Sequence, residues 1–143
     1  MTKILFVCHG NICRSPMAEF VMKDLVHKAG RENEFHIESA ATSNEEIGND
    51  MYGPAKRKLT SEGVPFERRA ARRIRNSDYE AFDLIITMDQ YNRRNLEYMF
   101  PSDPQGKIRP LLNRPVADPW YTGDFDSAYE DILEGCTALL NSL

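Results

Sequence analysis

Cys8-His9-Gly10-Asn11-Ile12-Cys13-Arg14-Ser15-Pro16 separates a thiol from a guanidinium by five residues, with Gly and Asn between them and a hydroxyl just after. Those groups suit attack on a phosphate ester. The main-chain N–H groups of a short loop, backed by the positive end of a following helix, converge on an anion. The Arg fork holds two of the anion's oxygens at once. The same field favours thiolate, the nucleophilic form of cysteine, which makes Cys8 the candidate nucleophile and Arg14 the candidate phosphate clamp. Ser15 can donate a hydrogen bond to the sulfur and support it both as nucleophile and as leaving group. His9, Gly10, Asn11, Ile12 and Cys13, with Ser15, make up the candidate substrate-binding loop, and Gly10 and Asn11 are types that tolerate positive φ. The spacing alone is weak, because a free cysteine at a strand end is ordinarily a small buried hydrophobe. The flanking elements decide.

An ester also needs its leaving oxygen protonated, a role in which a placed carboxylic acid contributes about 10² to 10⁴ in rate. The candidate is Asp118 in Val116-Ala117-Asp118-Pro119-Trp120-Tyr121. Taken alone, Asp118-Pro119 reads as turn chemistry, with Trp120 and Tyr121 packing on the core.

The elements that must carry these groups follow from periodicity. Lys3 to Cys8 is a continuous apolar run, the pattern of a central strand buried on both faces of a parallel sheet. From Ser15-Pro16, apolar residues at Ala18, Val21, Met22, Leu25, Val26 and Ala29 predict an amphipathic helix closed by Gly30. Phe35–Ser39 reads as a second strand, followed by a helix between Pro54 and Gly63. Ser77-x-x-Glu80 is a possible capping box, Asp83–Thr87 a third strand, Asp89 a helix cap and Lys107–Leu112 a weaker fourth strand. Phe125, Tyr129, Ile132, Leu133, Cys136, Leu139, Leu140 and Leu143 share one face of a last helix. Strands alternating with helices give an α/β fold with a mostly parallel sheet, and the cysteine loop then sits at the carboxyl end of a strand, where such sheets bind ligands.

Composition sets the outer limits. At 143 residues the chain is one domain, 1–143, and 41% hydrophobic with 28% charged residues fits neither a disordered tail nor a fibre. A net charge of -4 supplies no whole-chain basic field for nucleic acid or an anionic membrane. The five apolar residues from Ile4 to Cys8 are too few for a signal-peptide core or a membrane span, so the chain reads as cytoplasmic. Three cysteines make no disulfide framework, and no zinc-type spacing is present.

The cysteine loop together with Asp118-Pro119-Trp120-Tyr121, Glu38-Ser39-Ala40-Ala41, Gly48 and Thr87-Met88-Asp89 resembles the low-molecular-weight protein tyrosine phosphatases over essentially the whole chain. The resemblance implies a four-stranded parallel sheet flanked by helices, with a phosphate-binding loop after strand 1. It implies hydrolysis of protein phosphotyrosine through a phosphocysteine intermediate, with Cys8 as nucleophile, Arg14 as transition-state binder and Asp118 as general acid. It further implies that Asn11, Ser15 and Ser39 shape the loop by hydrogen bonds, with Trp120 and Tyr121 as an aromatic wall, and that no metal or cofactor is needed. The implied partners are phosphotyrosine proteins or peptides, with inorganic phosphate as product. Protein arginine phosphatases look similar, and there a Thr commonly stands at the place of Ile12; a non-catalytic phosphate-binding module is the third reading. Relatives use a second loop cysteine, here Cys13, to trap oxidised Cys8 as a reversible disulfide, whereas Cys136 reads as core.

Two residues depart from the family pattern. Glu45 stands on the predicted rim where an aromatic is common, which shifts preference toward basic neighbours. Arg69 replaces a His often placed near Asp89, so a polar link behind the site is rebuilt as an Arg–Asp pair or lost. The run Arg68 to Arg75 reads as a solvated strip.

Overall fold

The computed structural model describes residues 1–143. The N-terminal apolar run forms β1 (Thr2–Cys8), in which Ile4, Leu5, Phe6 and Val7 are wholly buried. Side chains alternate across a strand, so Ile4, Phe6 and Cys8 join the larger core while Leu5 and Val7 join a smaller one on the opposite face. β1 can lie between two layers because it has no polar face. It pairs in parallel with β2 (Phe35–Ala41) on one side and β3 (Leu84–Thr87) on the other, and β4 (Ile108–Pro110) extends the sheet to the order β2-β1-β3-β4. The expected four-stranded parallel sheet is therefore observed.

Six helices complete the fold: α1 (Arg14–Lys28), α2 (Gly53–Ser61), α3 (Asp78–Ala81), α4 (Gln90–Met99), α5 (Pro119–Thr122) and α6 (Phe125–Asn141). A 3-10 turn, Glu32–Glu34, leads into β2. α1 is amphipathic only in its second half, since Arg14 through Met22 are buried without interruption. Its first turns are sealed between the sheet, α6 and the segment after β2, and the apolar spacing did not reveal this because Arg14, Ser15 and Glu19 are polar residues with buried partners. Asp89 caps α4 as expected, in a capping box closed by Asn92. Ser77 makes no such cap. Asp78 instead accepts from the Arg72 guanidinium at 2.9 Å and the Arg75 amide at 2.7 Å, so the next residue takes over the polar work at this helix start. β4 is shorter than its apolar pattern, and the stripe on α6 fades until Leu143, past the helix end, is exposed. No helix is long and apolar enough to cross a membrane.

Strand order reverses between β1 and β3, which opens a crevice at the carboxyl edge of the sheet. The segments that follow all four strands meet there: the cysteine loop after β1, Thr42–Tyr52 after β2, Met88-Asp89 after β3 and Leu111–Asp118 after β4. One close approach fixes how the last helix seats beneath them. A Cβ built on Gly135 of α6 would lie 2.4 Å from Leu111 Cγ. Gly135→Ala gains helix propensity of about 1 kcal/mol, but it overpacks this contact, which costs about 1–3 kcal/mol. The expected net result is a lower melting temperature, and an unchanged or higher value in thermal unfolding would show that Leu111 is free to move away.

Candidate active site

The loop between β1 and α1 is held from outside. Its carbonyls are taken by neighbouring segments: Thr42 N–H donates to Cys8 O at 3.0 Å, Ser43 N–H to His9 O at 3.1 Å and Tyr52 N–H to Ile12 O at 2.8 Å. The N–H groups from His9 to Arg14 donate to no acceptor of the protein. Asn11 takes the turn at φ 60°, while Gly10, also expected to use this region, keeps negative φ. Only Asn, Asp and Gly visit positive φ at low cost, and Asn11 combines that with a side chain that binds the loop together.

That side chain is fully buried and uses all of its polar capacity. Asn11 Nδ2 donates to Ser15 Oγ at 2.7 Å and to Ser39 Oγ at 3.0 Å, while its Oδ1 accepts from Arg69 and, at 3.3 Å, from the Arg72 amide. Because Ser15 Oγ accepts from Asn11, its own hydrogen is free for Cys8 Sγ at 3.0 Å, and Ser15 N–H approaches the same sulfur at 3.4 Å. Ser39 passes its hydrogen to Glu19 at 2.6 Å, and Glu19 is paired in turn with Lys23. Arg69 thus grips Asn11 rather than Asp89, its amide goes to Asp50, and no Arg69–Asp89 link exists. Burial draws its pKa below the ordinary arginine value, against the pull of Glu19, Asp50 and Cys8. The arginine run is only partly solvated. Ala71 and Ile74 are buried, Arg72 pairs with Asp78 and Glu38, and the segment runs beside β2 through an Ala41–Arg73 bridge.

Arg14 closes the other side. Its side chain is 4% exposed and lies between two carboxylates, Asp89 at 2.9 Å and Asp118 at 3.2 Å, and it donates to Val116 O at 3.2 Å. Burial works against its charge, but Cys8, Asp118 and Asp89 more than compensate and raise its pKa. One oxygen of Asp118 faces Arg14, and the other accepts from Trp120 N–H at 3.2 Å as the cap of α5, with Pro119 in the first turn, so the turn chemistry of the motif is present. Trp120 and Tyr121 are exposed rather than packed in the core, and Trp120 leans on Tyr52 with ring centroids 5.0 Å apart. His9 and Glu45 pair at 3.0 Å on the rim.

One cavity of about 900 Å³ is lined by Cys8, His9, Gly10, Ile12, Cys13 and Arg14 with Asp118, Trp120, Tyr121, Glu45, Asp89 and the first turns of α4, whereas Asn11 and Ser15, expected among the substrate-binding residues, are wholly buried and lie outside its lining. Sequence spacing placed Asp89 only as a cap, and it did not foresee Glu19 or Tyr52. Cys13 differs sharply from an exposed thiol: burial first, then Cys8 and Asp118, push its pKa up to about 12. Cys136 is wholly buried, with a thiol raised by desolvation alone, and belongs to the core.

Residues 3–143 match the family model for low molecular weight phosphotyrosine protein phosphatase. The low molecular weight protein-tyrosine-phosphatase YfkJ of Bacillus subtilis is 38% identical over 100% of this chain and 96% of its own length. Its crystal structure superposes with a TM-score of 0.96, covering 99% of this chain and 94% of that one. The low molecular weight protein tyrosine phosphatase SP-PTP from Streptococcus pyogenes is 40% identical with a TM-score of 0.93, over 100% and 93% of the two chains. A drosophila arginine phosphatase is 32% identical with a TM-score of 0.89, over 99% and 97%.

A thiol raised to about 12 stays protonated in the resting protein through the neutral range, and burial keeps an external alkylating reagent from it. In the Cys8→Ser variant, iodoacetamide at about pH 8 is expected to leave Cys13 unlabelled in the folded protein and to label it after unfolding. Rapid labelling of the folded protein, read by intact mass, would contradict the burial.

Proposed function

The chain belongs to the low molecular weight phosphotyrosine protein phosphatase family, and from that premise we propose that it hydrolyses phosphotyrosine in proteins or peptides through a phosphocysteine intermediate. The observation that carries the proposal is one arrangement: the Cys8 sulfur, bonded by Ser15, beneath a loop of unpaired amides, with Arg14 linking that loop to Asp118. In the first step Cys8 thiolate attacks phosphorus, the S–P bond forms as the P–O bond to the phenol breaks, and protonated Asp118 gives its proton to the phenolate oxygen. In the second, Asp118 takes a proton from water, the water oxygen bonds to phosphorus, and the S–P bond breaks to release phosphate and the thiolate. The loop amides and Arg14 meet the charge on the three equatorial oxygens in both steps. An arriving phosphate dianion competes with Asp118 for the Arg14 guanidinium, so substrate binding itself frees the acid from its resting partner.

Ser15 has a double part: its hydroxyl supports the thiolate before attack and again as it departs. Trp120 and Tyr121, exposed beside the cavity, offer an aromatic wall to a phenyl ring, and Ile12 adds an aliphatic side chain to the lining. A tyrosyl leaving group, with a pKa of about 10, is expelled far more readily than a serine alkoxide. Cys13 shares the cavity with Cys8. When peroxide oxidises Cys8 to a sulfenic acid, we expect the Cys13 thiol to condense with it, releasing water and forming a disulfide that thiols reduce. Mass spectrometry after peroxide should show that bond, and irreversible sulfonate on Cys8 alone would refute it.

The deciding experiment compares matched phosphotyrosine, phosphoarginine and phosphoserine peptides without added metal. Phosphotyrosine should be preferred, Cys8→Ser should abolish turnover while retaining phosphate binding, and Asp118→Ala should lower kcat by about a hundred- to a thousandfold. A preference for phosphoarginine would assign the chain the activity named for its drosophila neighbour and remove Ile12 as a discriminator. No turnover on any peptide would leave a phosphate-binding module.

A further inference from the structure

The cavity extends well past the cysteine loop. Its volume of about 900 Å³ lies at the upper end of sites that enclose a whole drug-sized ligand, so one phosphorylated ring leaves space along the walls. One wall is the exposed side of α4, formed by Gln90, Tyr91, Arg94 and Asn95. Another comes from the segment after β2 and carries Glu45 and Glu46. The two walls meet where Asn95 Nδ2 donates to Thr42 Oγ1 at 3.5 Å, and Glu45 and Glu46 follow further along the segment after β2.

The charges on the walls are not equally free. His9 is paired with Glu45, Glu46 accepts from Asn49, and Asp89 and Asp118 share Arg14. On α4 itself, Arg93 pairs with Glu97 at 3.5 Å, which occupies the one acid within reach of both arginines on that helix. Arg94 forms no ion pair and no hydrogen bond to protein; its guanidinium lies over the Tyr91 ring, 5.4 Å from the centroid. An arginine resting on an aromatic face keeps the edges of its planar fork available while losing some of its freedom. Both features favour capture of a carboxylate.

We propose that Arg94, steadied by Tyr91, is a specificity subsite for an acidic residue flanking the phosphotyrosine, set against the Glu45–Glu46 wall where such a residue is repelled. This rests on reading the cavity as a phosphotyrosine site. The rim then has polarity, and an acid-flanked peptide has one favoured direction across it.

The test uses three phosphotyrosine peptides that differ only in the flanks: Asp-Asp before the ring, Asp-Asp after it, and Ala-Ala on both sides. For each protein, kcat/KM is normalised to that protein's own value on p-nitrophenyl phosphate, at low and at high salt. The wild type should favour one acid-flanked peptide over the neutral one by roughly two- to fivefold at low salt, the range of exposed ion pairs, and less at high salt. Arg94→Gln should bring the ratio to about one, Arg94→Glu should invert it, and Arg94→Lys should keep most of it. Equal ratios in wild type and Arg94→Glu, or no favoured acid flank in the wild type, would overturn the proposal. The same ratios are measured as affinities in the Cys8→Ser background. Failure of the wild type to turn over any of the peptides counts against the phosphatase reading alone, and the affinity ratio in Cys8→Ser still decides the role of Arg94.

Discussion

The peptide N–H groups from His9 to Arg14 have no protein acceptor, and like ends of dipoles gathered in one short loop repel, so the cysteine loop holds its shape only if something else supplies the attraction. In this protein that is the carboxamide of Asn11. It bridges two serines through its nitrogen and two arginine donors through its oxygen, from a backbone conformation that few residue types accept. The carbonyl side of the loop is meanwhile tied to residues 42, 43 and 52, so the amides have little choice of direction. The bonds that hold the Cys8 sulfur and those that hold the loop are thus one network. A buried polar network of this kind is favourable only when every member is satisfied, and Glu19 completes it by accepting from Ser39.

Arg14 poses the complementary problem. A guanidinium so deeply buried pays a large desolvation cost, and that cost is offset only by well-placed anions. Two carboxylates and a carbonyl supply the offset in the resting protein. Both cap a helix, but they differ in freedom: Asp89 is held in the closed capping box of the ten-residue α4, whereas Asp118 caps the four-residue α5 at the rim and is 30% exposed in its side chain. The arrangement gives the arginine one enclosed partner and one partner open to solvent.

The sequence revealed those parts of the structure that local pattern controls. The apolar run of β1, the helix after Pro16 and the cap at Asp89 were legible because strand and helix periods and capping chemistry act within a few residues. Cys8, Arg14 and Ser15 were legible for the same reason, lying within one short loop. Ser39 entered only through family resemblance, as did Arg69, with Asp89 rather than Asn11 near it, and Glu19 and Arg72 were not assigned to the site, because these bonds join positions 20, 58 and 61 residues apart. The arginine run shows the same limit: charge spacing suggested a wet strip, while the fold uses Arg69 and Arg72 as struts. Ser77 fits a capping pattern, yet the neighbouring Asp78 holds Arg72 and leaves that pattern idle.

Asp89 spends one oxygen on the Asn92 amide and the other on Arg14. The first turn of α4 and the guanidinium over the cysteine loop are therefore a single thermal unit: a fluctuation that frays the helix start also loosens the arginine. Amide protons at that turn should exchange with solvent by the same opening that disorders Arg14, as cooperative segments do. Anything that seats an anion on the arginine then tightens a helix end on the neighbouring wall, so occupancy of the cavity floor becomes measurable as slowed exchange at its rim.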